Sequence, residues 1–371
     1  MLPFALNPVL RTLPVYQPGR PIEEVARELG LPAIDIIKLA SNENPLGPSR
    51  LAMAAMRKAL AQVNLYPDGG AFHLKQKLAQ YLGVSPAHLI LGTGSNEVLE
   101  LLGHLLLSQE TDVIVSQYCF AVYPIVTALF GAKLIRVPAK HYGHDLDAML
   151  ASITANTRLI FVANPNNPTG TSASSEKLAD FIKAVPSQVV IALDQAYIEF
   201  QDEPLDLLPE IRNGTRPNLV LLRTFSKIYG LAGVRVGYGI GDPEFIAAFE
   251  KARQPFNLNS IAQAGALAAL DDHAHVERTR RIISRGLKFY AREFRRLGLE
   301  FVPSSANFIL VRVGDGQTIF DQLQRLGIIV RPLDAYQLPE WIRISVGTPK
   351  ENQRCLQALK SLMAAPPTTA R

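Results

Sequence analysis

The chain has 371 residues, 48% of them hydrophobic, with 38 Lys and Arg against 33 Asp and Glu for a net charge of +5. That length predicts two domains, or one large domain with an appendage, and the apolar share suffices for a sizeable core. The small positive excess forms no dense basic run and no aromatic-interleaved patch, so no nucleic-acid partner is expected, while an anionic small molecule fits.

Residues 1–45 read as an irregular arm. Pro3, Pro8 and Pro14 interrupt the first segment, which also lacks a basic start, so it is not read as a signal peptide. No run approaches the roughly 18 apolar residues of a membrane span, and a cytoplasmic protein is expected. Helical patterning follows over 51–62. The turn YPDGG (66–70) leads into a second helix over 74–83. From residue 88 short apolar runs alternate with helical stretches. Strands are predicted at 88–92, 112–116, 133–137, 158–164, 189–194, 218–224 and 234–240, with helices over 96–108 and 123–131. The runs are near-continuously apolar, the pattern of strands buried on both faces of a mostly parallel sheet. Helices are predicted over 243–299, the last long and basic. A mixed region follows, with NFILVRV, a helix near 317–326, IIVRP and WIRISVG. The fold class is therefore α/β. A large domain over 46–250 is expected, with a mostly parallel central sheet between helices. A smaller α+β domain is expected from 251–371 together with the arm 1–45. The tail APPTTAR is expected to fray.

The two cysteines, Cys119 and Cys355, form no CxxC pair, and no His/Cys cluster has metal-ligand spacing. Two buried thiols in a reducing compartment, and no metal, are the expectation.

Ligands of open parallel sheets bind at the carboxyl ends of the strands, and four unusual segments sit there. GTGSNE (92–97) joins a strand to a helix. Its glycines let backbone approach a ligand, and the free N–H groups of the helix start favour an anion such as phosphate. A good helix cap would look the same. ANPNNPTG (163–170) is a rigid turn able to fix an Asn side chain, or simply a turn. In LDQAYIEF (193–200), Asp194 ends a buried strand, where a carboxylate is costly without a cationic partner. Tyr197, three residues on, could point into the same cleft; a helix-capping Asp194 is the alternative. In RTFSKIYGLAGVRVGY (223–238), Lys227 follows a strand among apolar and small residues. Such a lysine can have its pKa lowered and act as a Schiff-base nucleophile, although a solvated surface lysine would look the same. Ser226 and Arg235 beside it suit a phosphate. Together these segments supply what pyridoxal phosphate (PLP) needs: a lysine for the aldehyde, a carboxylate for the ring nitrogen, donors for the ring hydroxyl and an anion cradle.

In order, SNENPLGPS, YPDG, GTGSNE, FAVY, NPNNPTG, DQAY, RTFSKIYGLAGVRVGY and RISVGT resemble the aspartate-aminotransferase-like PLP enzymes over residues 16–350. VYQPGRP, LASNENPLGPS, FAVY and IIVRP bring the chain closest to the histidinol-phosphate aminotransferase family. The resemblance implies that Lys227 holds the cofactor and then carries protons between the substrate carbon and the cofactor. It implies that Asp194 pairs with the pyridinium nitrogen and that Asn167 and Tyr197 bond the ring hydroxyl oxygen. Phe120 would stack on the ring, where many relatives have Tyr. Ser95, Asn96, Thr224, Ser226 and Arg235 would hold the phosphate. Tyr66 would reach the cofactor phosphate of a second subunit, implying a homodimer with shared sites. Arg343 would bind the α-carboxylate as a bidentate fork. Tyr16 and Arg331 would contact the substrate, Arg331 through the phosphate of histidinol phosphate or the distal carboxylate of glutamate. His73, His104, His141 and His144 match no catalytic role.

The implied activity is transamination between imidazole-acetol phosphate and glutamate in histidine biosynthesis, giving histidinol phosphate and 2-oxoglutarate. An aromatic amino-acid aminotransferase would use the same cofactor residues without needing a substrate phosphate. A threonine-phosphate decarboxylase would use a similar chain for a different reaction. A non-enzymatic regulator of this fold would usually carry a DNA-binding domain, for which the chain has no spare length.

Overall fold

The computed structural model describes residues 8–11, 13 and 15–364; the tail expected to fray lies outside them, as do Pro3 and Pro14. The apolar runs form a seven-stranded sheet. In spatial order its strands are Leu89–Gly92, Gly237–Ile240, Leu219–Thr224, Val190–Asp194, Thr157–Ala163, Asp112–Ser116 and Lys133–Val137. Gly237–Ile240 runs against both neighbours, and the remaining pairs are parallel. Helices cover both faces. One apolar cluster gathers Ile114, Ile160, Ile191 and Leu221, and the other Val113, Leu159, Ala192 and Val220. Neighbouring residues of one strand thus enter opposite clusters, which is why the runs are apolar throughout.

The strand expected over 234–240 is shorter than its apolar pattern. Residues Ala232–Val234 form a 3-10 turn and Arg235 takes a left-handed φ of 62°, so pairing starts at Gly237. This irregular stretch turns Arg235 towards the preceding turn, Gly94–Ser95.

The second layer is a four-stranded antiparallel sheet in the order Arg331–Pro332, Trp341–Ser345, Phe308–Arg312 and Phe301–Val302. Helix His273–Arg296 crosses to it and buries Ile283, Tyr290 and Phe294 in its core. The N-terminal arm joins the same layer. Ile37–Lys38 pairs in parallel with Ile328–Ile329.

One feature departs from the sequence expectations. The arm is not irregular throughout, because Ile22–Leu29 is a helix that buries Val25 and ends at a left-handed Gly30. Helix Ser260–Ala269 shares the large sheet's apolar cluster through Ala262 and Ala266, packing beside Ala52 and Met56 of helix Arg50–Ala59. Residues up to about 270 therefore pack in the large sheet's apolar cluster.

Among the described residues no helix is long and apolar enough to cross a membrane.

Candidate active site

A cavity of about 270 Å³ opens where the carboxyl ends of the large sheet face the arm and the small sheet. Lys227 lies on its wall, in the loop after strand Leu219–Thr224. Its Nζ donates to the Ser41 carbonyl at 3.1 Å and sits 5.7 Å from the Tyr197 ring centre. Burial and, after it, the Arg343 and Arg235 charges push the amine down to about 8, against the opposing pull of Glu43 and Asp194. About a tenth of the amine is then neutral at pH 7, far more than for an ordinary lysine, which makes it a competent nucleophile.

Asp194 ends strand Val190–Asp194 and is 6% exposed. Burial raises its carboxyl above the usual range, while hydrogen bonds from Tyr123 Oη at 2.7 Å and the Ala196 N–H at 3.0 Å favour the ion. Tyr197 is also buried; its hydroxyl, pushed up to about 12 chiefly by burial, stays protonated and accepts from Asn42 Nδ2 at 2.9 Å.

Two loops in contact frame the end of the cavity where an anion cradle is expected. Gly94 precedes helix Ser95–Leu106 with φ 78°, and a Cβ there would lie 2.5 Å from Arg235 Nη2. A Cβ on Gly237 would lie 2.3 Å from the Ser95 nitrogen. Glycine at both positions is thus what brings Arg235 onto the helix start. Thr224 and Ser226 hydroxyls, 3.0 Å apart and buried, face the same end with Ser95 and Asn96.

Arg343 comes from strand Trp341–Ser345 and is 5% exposed. Its Nη1 donates to Asn167 Oδ1 at 2.6 Å and its Nη2 to the Ala40 carbonyl at 2.9 Å, while its buried Nε has no partner. Asn167 lies in the turn after strand Thr157–Ala163, between cis peptides at Asn164–Pro165 and Asn167–Pro168. At the mouth, Arg331 lies 5.9 Å from the Tyr16 ring centre and donates to the Gln17 carbonyl.

The model of the aminotransferase class I and II family matches residues 34–359. The chain belongs to the class I and II aminotransferases. It is 52% identical over 361 residues to a histidinol-phosphate aminotransferase of Akkermansia muciniphila, covering 97% of this chain and 99% of the relative. It is 49% identical to histidinol-phosphate aminotransferase 2 of Ralstonia nicotianae, with 96% of each chain covered. The crystal structure of histidinol-phosphate aminotransferase from Sinorhizobium meliloti, in complex with pyridoxal-5'-phosphate, superposes with a TM-score of 0.86 at 31% identity, covering 96% of this chain and 98% of that one.

For a class I and II aminotransferase the donor set fits that cofactor. A buried carboxylate of raised pKa, satisfied by only two donors, has room for a cationic ring nitrogen. The glycine-lined cradle admits a phosphate, and the lysine amine is mobile enough in charge to take an aldehyde. Every residue expected at the site lines this cavity except Tyr66. Tyr66 lies outside it, 83% exposed and stacked on Phe256 with ring centres 4.7 Å apart. Of the four histidines without a role, His144 is half-buried beside the site, its Nε2 2.7 Å from the Ala163 carbonyl.

Sequence reasoning passed over Asn42, Glu43, Tyr123 and Tyr336. Asn42, Glu43 and Tyr336 line the cavity. Tyr123 lies behind it and bonds Asp194. The available signals were the SNEN opening and the last letter of FAVY, three residues beyond Phe120, one helical step away.

Proposed function

We propose that this aminotransferase converts imidazole-acetol phosphate and glutamate to histidinol phosphate and 2-oxoglutarate in histidine biosynthesis. The observation that carries the reading is the cationic mouth, where Arg331 and Tyr16 close a cavity already floored by Arg343, in a chain half identical to histidinol-phosphate aminotransferases.

Pyridoxal phosphate, when bound, supplies an aldehyde for the substrate amine and a ring that accepts the electron pair left on the substrate carbon. Asp194 holds the ring nitrogen, Asn167 and Tyr197 its hydroxyl oxygen, and Phe120 one face. Ser95, Asn96, Thr224, Ser226 and Arg235 hold the phosphate. Lys227 Nζ, about half neutral at pH 8, would be the group that moves the proton of the amine-bearing carbon. Arg343 takes the glutamate α-carboxylate on its fork, and Arg331 takes the distal carboxylate or the phosphate of histidinol phosphate. One cationic wall thus serves both substrates in turn.

The enzyme acts as a cytoplasmic homodimer with shared sites. Exposed Tyr66, stacked on exposed Phe256, supports the dimer, since it presents apolar rings that a second subunit would cover.

The test is the visible band of the PLP-loaded protein, titrated with histidinol phosphate and in parallel with phenylalanine. Bleaching at low histidinol phosphate and only at high phenylalanine is expected. Preference for phenylalanine would make the enzyme an aromatic aminotransferase, and absence of a visible band after PLP is supplied would remove the cofactor reading.

A further inference from the structure

Tyr123 touches two of the residues that face the cavity without lining it itself. Its hydroxyl donates to Asp194 Oδ2 at 2.7 Å. Its ring meets Phe120 edge-on, centres 5.7 Å apart at 86°, and lies flat on Phe161 on the other side, centres 4.5 Å apart at 5°. The side chain is 1% exposed. Clamped between two rings, the hydroxyl has little freedom to aim elsewhere.

We propose that Tyr123 is a positioning residue for cofactor capture: its hydroxyl keeps the Asp194 carboxylate ionised and aimed into the cavity, so that a pyridinium nitrogen meets an anion rather than a carboxylic acid. The proposal rests on the reading of this cavity as a PLP site. Asp194 needs such help because desolvation works against its charge. The groups facing it are few: Tyr123 from helix Val122–Leu129, the Ala196 N–H, Lys227 and the Tyr197 hydroxyl, with the Cys119 thiol facing Tyr123 in turn. Tyr123 cannot itself compete as an anion, because burial and Asp194 hold its hydroxyl protonated. Its bond at 2.7 Å and that of the Ala196 N–H at 3.0 Å each have the ordinary length for their donor, and of the two only Tyr123 donates from a side chain.

The sign of the effect follows from proton bookkeeping. When the pyridinium form binds an ionised Asp194, no proton moves. When it binds a protonated Asp194, one proton must leave, so affinity falls as pH drops through the carboxyl pKa. Without the hydroxyl that pKa rises and the acid-side loss begins at higher pH.

The experiment is PLP affinity of the apoenzyme, measured by equilibrium dialysis from pH 5.5 to 8.5 (about three units), for wild type, Tyr123→Phe and Tyr123→His. Phe keeps both ring contacts and removes only the donor; His restores a donor. An infrared difference spectrum between Y123F and the Y123F/D194N pair reads the protonated carboxyl directly in the apoprotein. The expected result is about tenfold weaker binding by Y123F at the acid end, shrinking towards the alkaline end, with partial rescue by His and a carboxylic-acid band present in Y123F at a pH where wild type has none. Affinity unchanged, or reduced equally at every pH with no such band, would overturn the proposal. If Y123F does not fold, Y123H with a wild-type pH profile sustains it, and Y123H with a uniform loss overturns it. Wild type failing to bind PLP at any pH would be a failure of the cofactor reading itself.

Discussion

Asn167 Oδ1 accepts a 2.6 Å hydrogen bond from Arg343 Nη1, and that bond joins a turn of the large sheet to a central strand of the small one. The same guanidinium holds the Ala40 carbonyl with its other Nη and leaves its buried Nε unpartnered. A planar fork is required, because a lysine cannot hold the two anchors and a carboxylate together. Arg343→Lys should lower kcat/KM for glutamate about 100-fold, equivalent to roughly 2.7 kcal/mol. Asn167→Ala should cost about tenfold. Steady-state kinetics with glutamate varied would show it, and an unchanged kcat/KM in R343K would exclude Arg343 as the carboxylate fork.

Lys227→Ala should abolish multiple-turnover transamination, since among the described residues no other amine lines the cavity. The lysine also shapes stability. Its folded value of about 8 lies below the usual 10.5, so its contribution is fully present above the usual value and is lost as pH falls through about 8. Apo Lys227→Met should therefore be more stable than apo wild type at pH 7, by about 2 kcal/mol, with the gap closing above pH 10. Urea unfolding of the two apoproteins at several pH values measures this.

Gly237→Ala places a methyl 2.3 Å from the Ser95 backbone nitrogen, and backbone cannot swing aside as a flexible side chain can. The cradle must open, and PLP retention through gel filtration should drop sharply, with a loss of about 2–3 kcal/mol in stability. Gly298→Ala serves as the control, since a Cβ there meets nothing although its left-handed φ of 67° adds strain. Equal PLP retention by the two variants would show that the close approach of Gly237 to Ser95 does not shape the cradle.

Glu199 lies two residues past Tyr197 with Oε2 enclosed and unpartnered, and burial pushes it up to about 7 against the pull of Arg223 and Arg280. Its folded value exceeds the usual one, so the stability it contributes is complete below about 4.5 and is lost as pH rises through about 7. Glu199→Gln should flatten the decline of apoprotein stability between pH 5 and 7.5, a difference of about 2 kcal/mol across that range. Thermal melts of wild type and variant in matched buffers provide the comparison; parallel curves would mean that Glu199 does not titrate there.

The strands and the turns at their ends were legible because each signal is local. A run such as LVLLRT can only be buried on two faces, and Gly94, Asp194 and Lys227 each sit beside a strand that announces itself. What escaped notice depends on distant partners. Tyr123 is an ordinary helical aromatic until the fold brings it to a residue 71 positions away, and Asn42 meets Tyr197 across 155 positions. The packing of helix Ser260–Ala269 against the large layer was hidden for a different reason. SIAQAGALAA is so small-sided that its apolar face is weakly marked, yet that smallness lets it approach Arg50–Ala59 closely, as a Cβ on Gly265 would lie 2.8 Å from Met56 Cγ. Tyr66 is exposed on the single chain, so its expected place against a second subunit is legible only through resemblance.

The arm's attachment has a consequence for when this enzyme comes into being. The Asn42 N–H donates to Ser345 Oγ and Arg343 donates to the Ala40 carbonyl, each across 303 positions, while Ile37–Lys38 finds its strand partner at Ile328–Ile329. At roughly 5–20 residues per second of synthesis, the segment that walls the site leaves the ribosome roughly 15–60 s before its partners exist. The large sheet with Lys227 and Asp194 is complete long before then, but its cavity stays open on the side that Arg343 closes. A nascent chain therefore keeps an open, half-lined basin until the strand that carries Arg343 has been made.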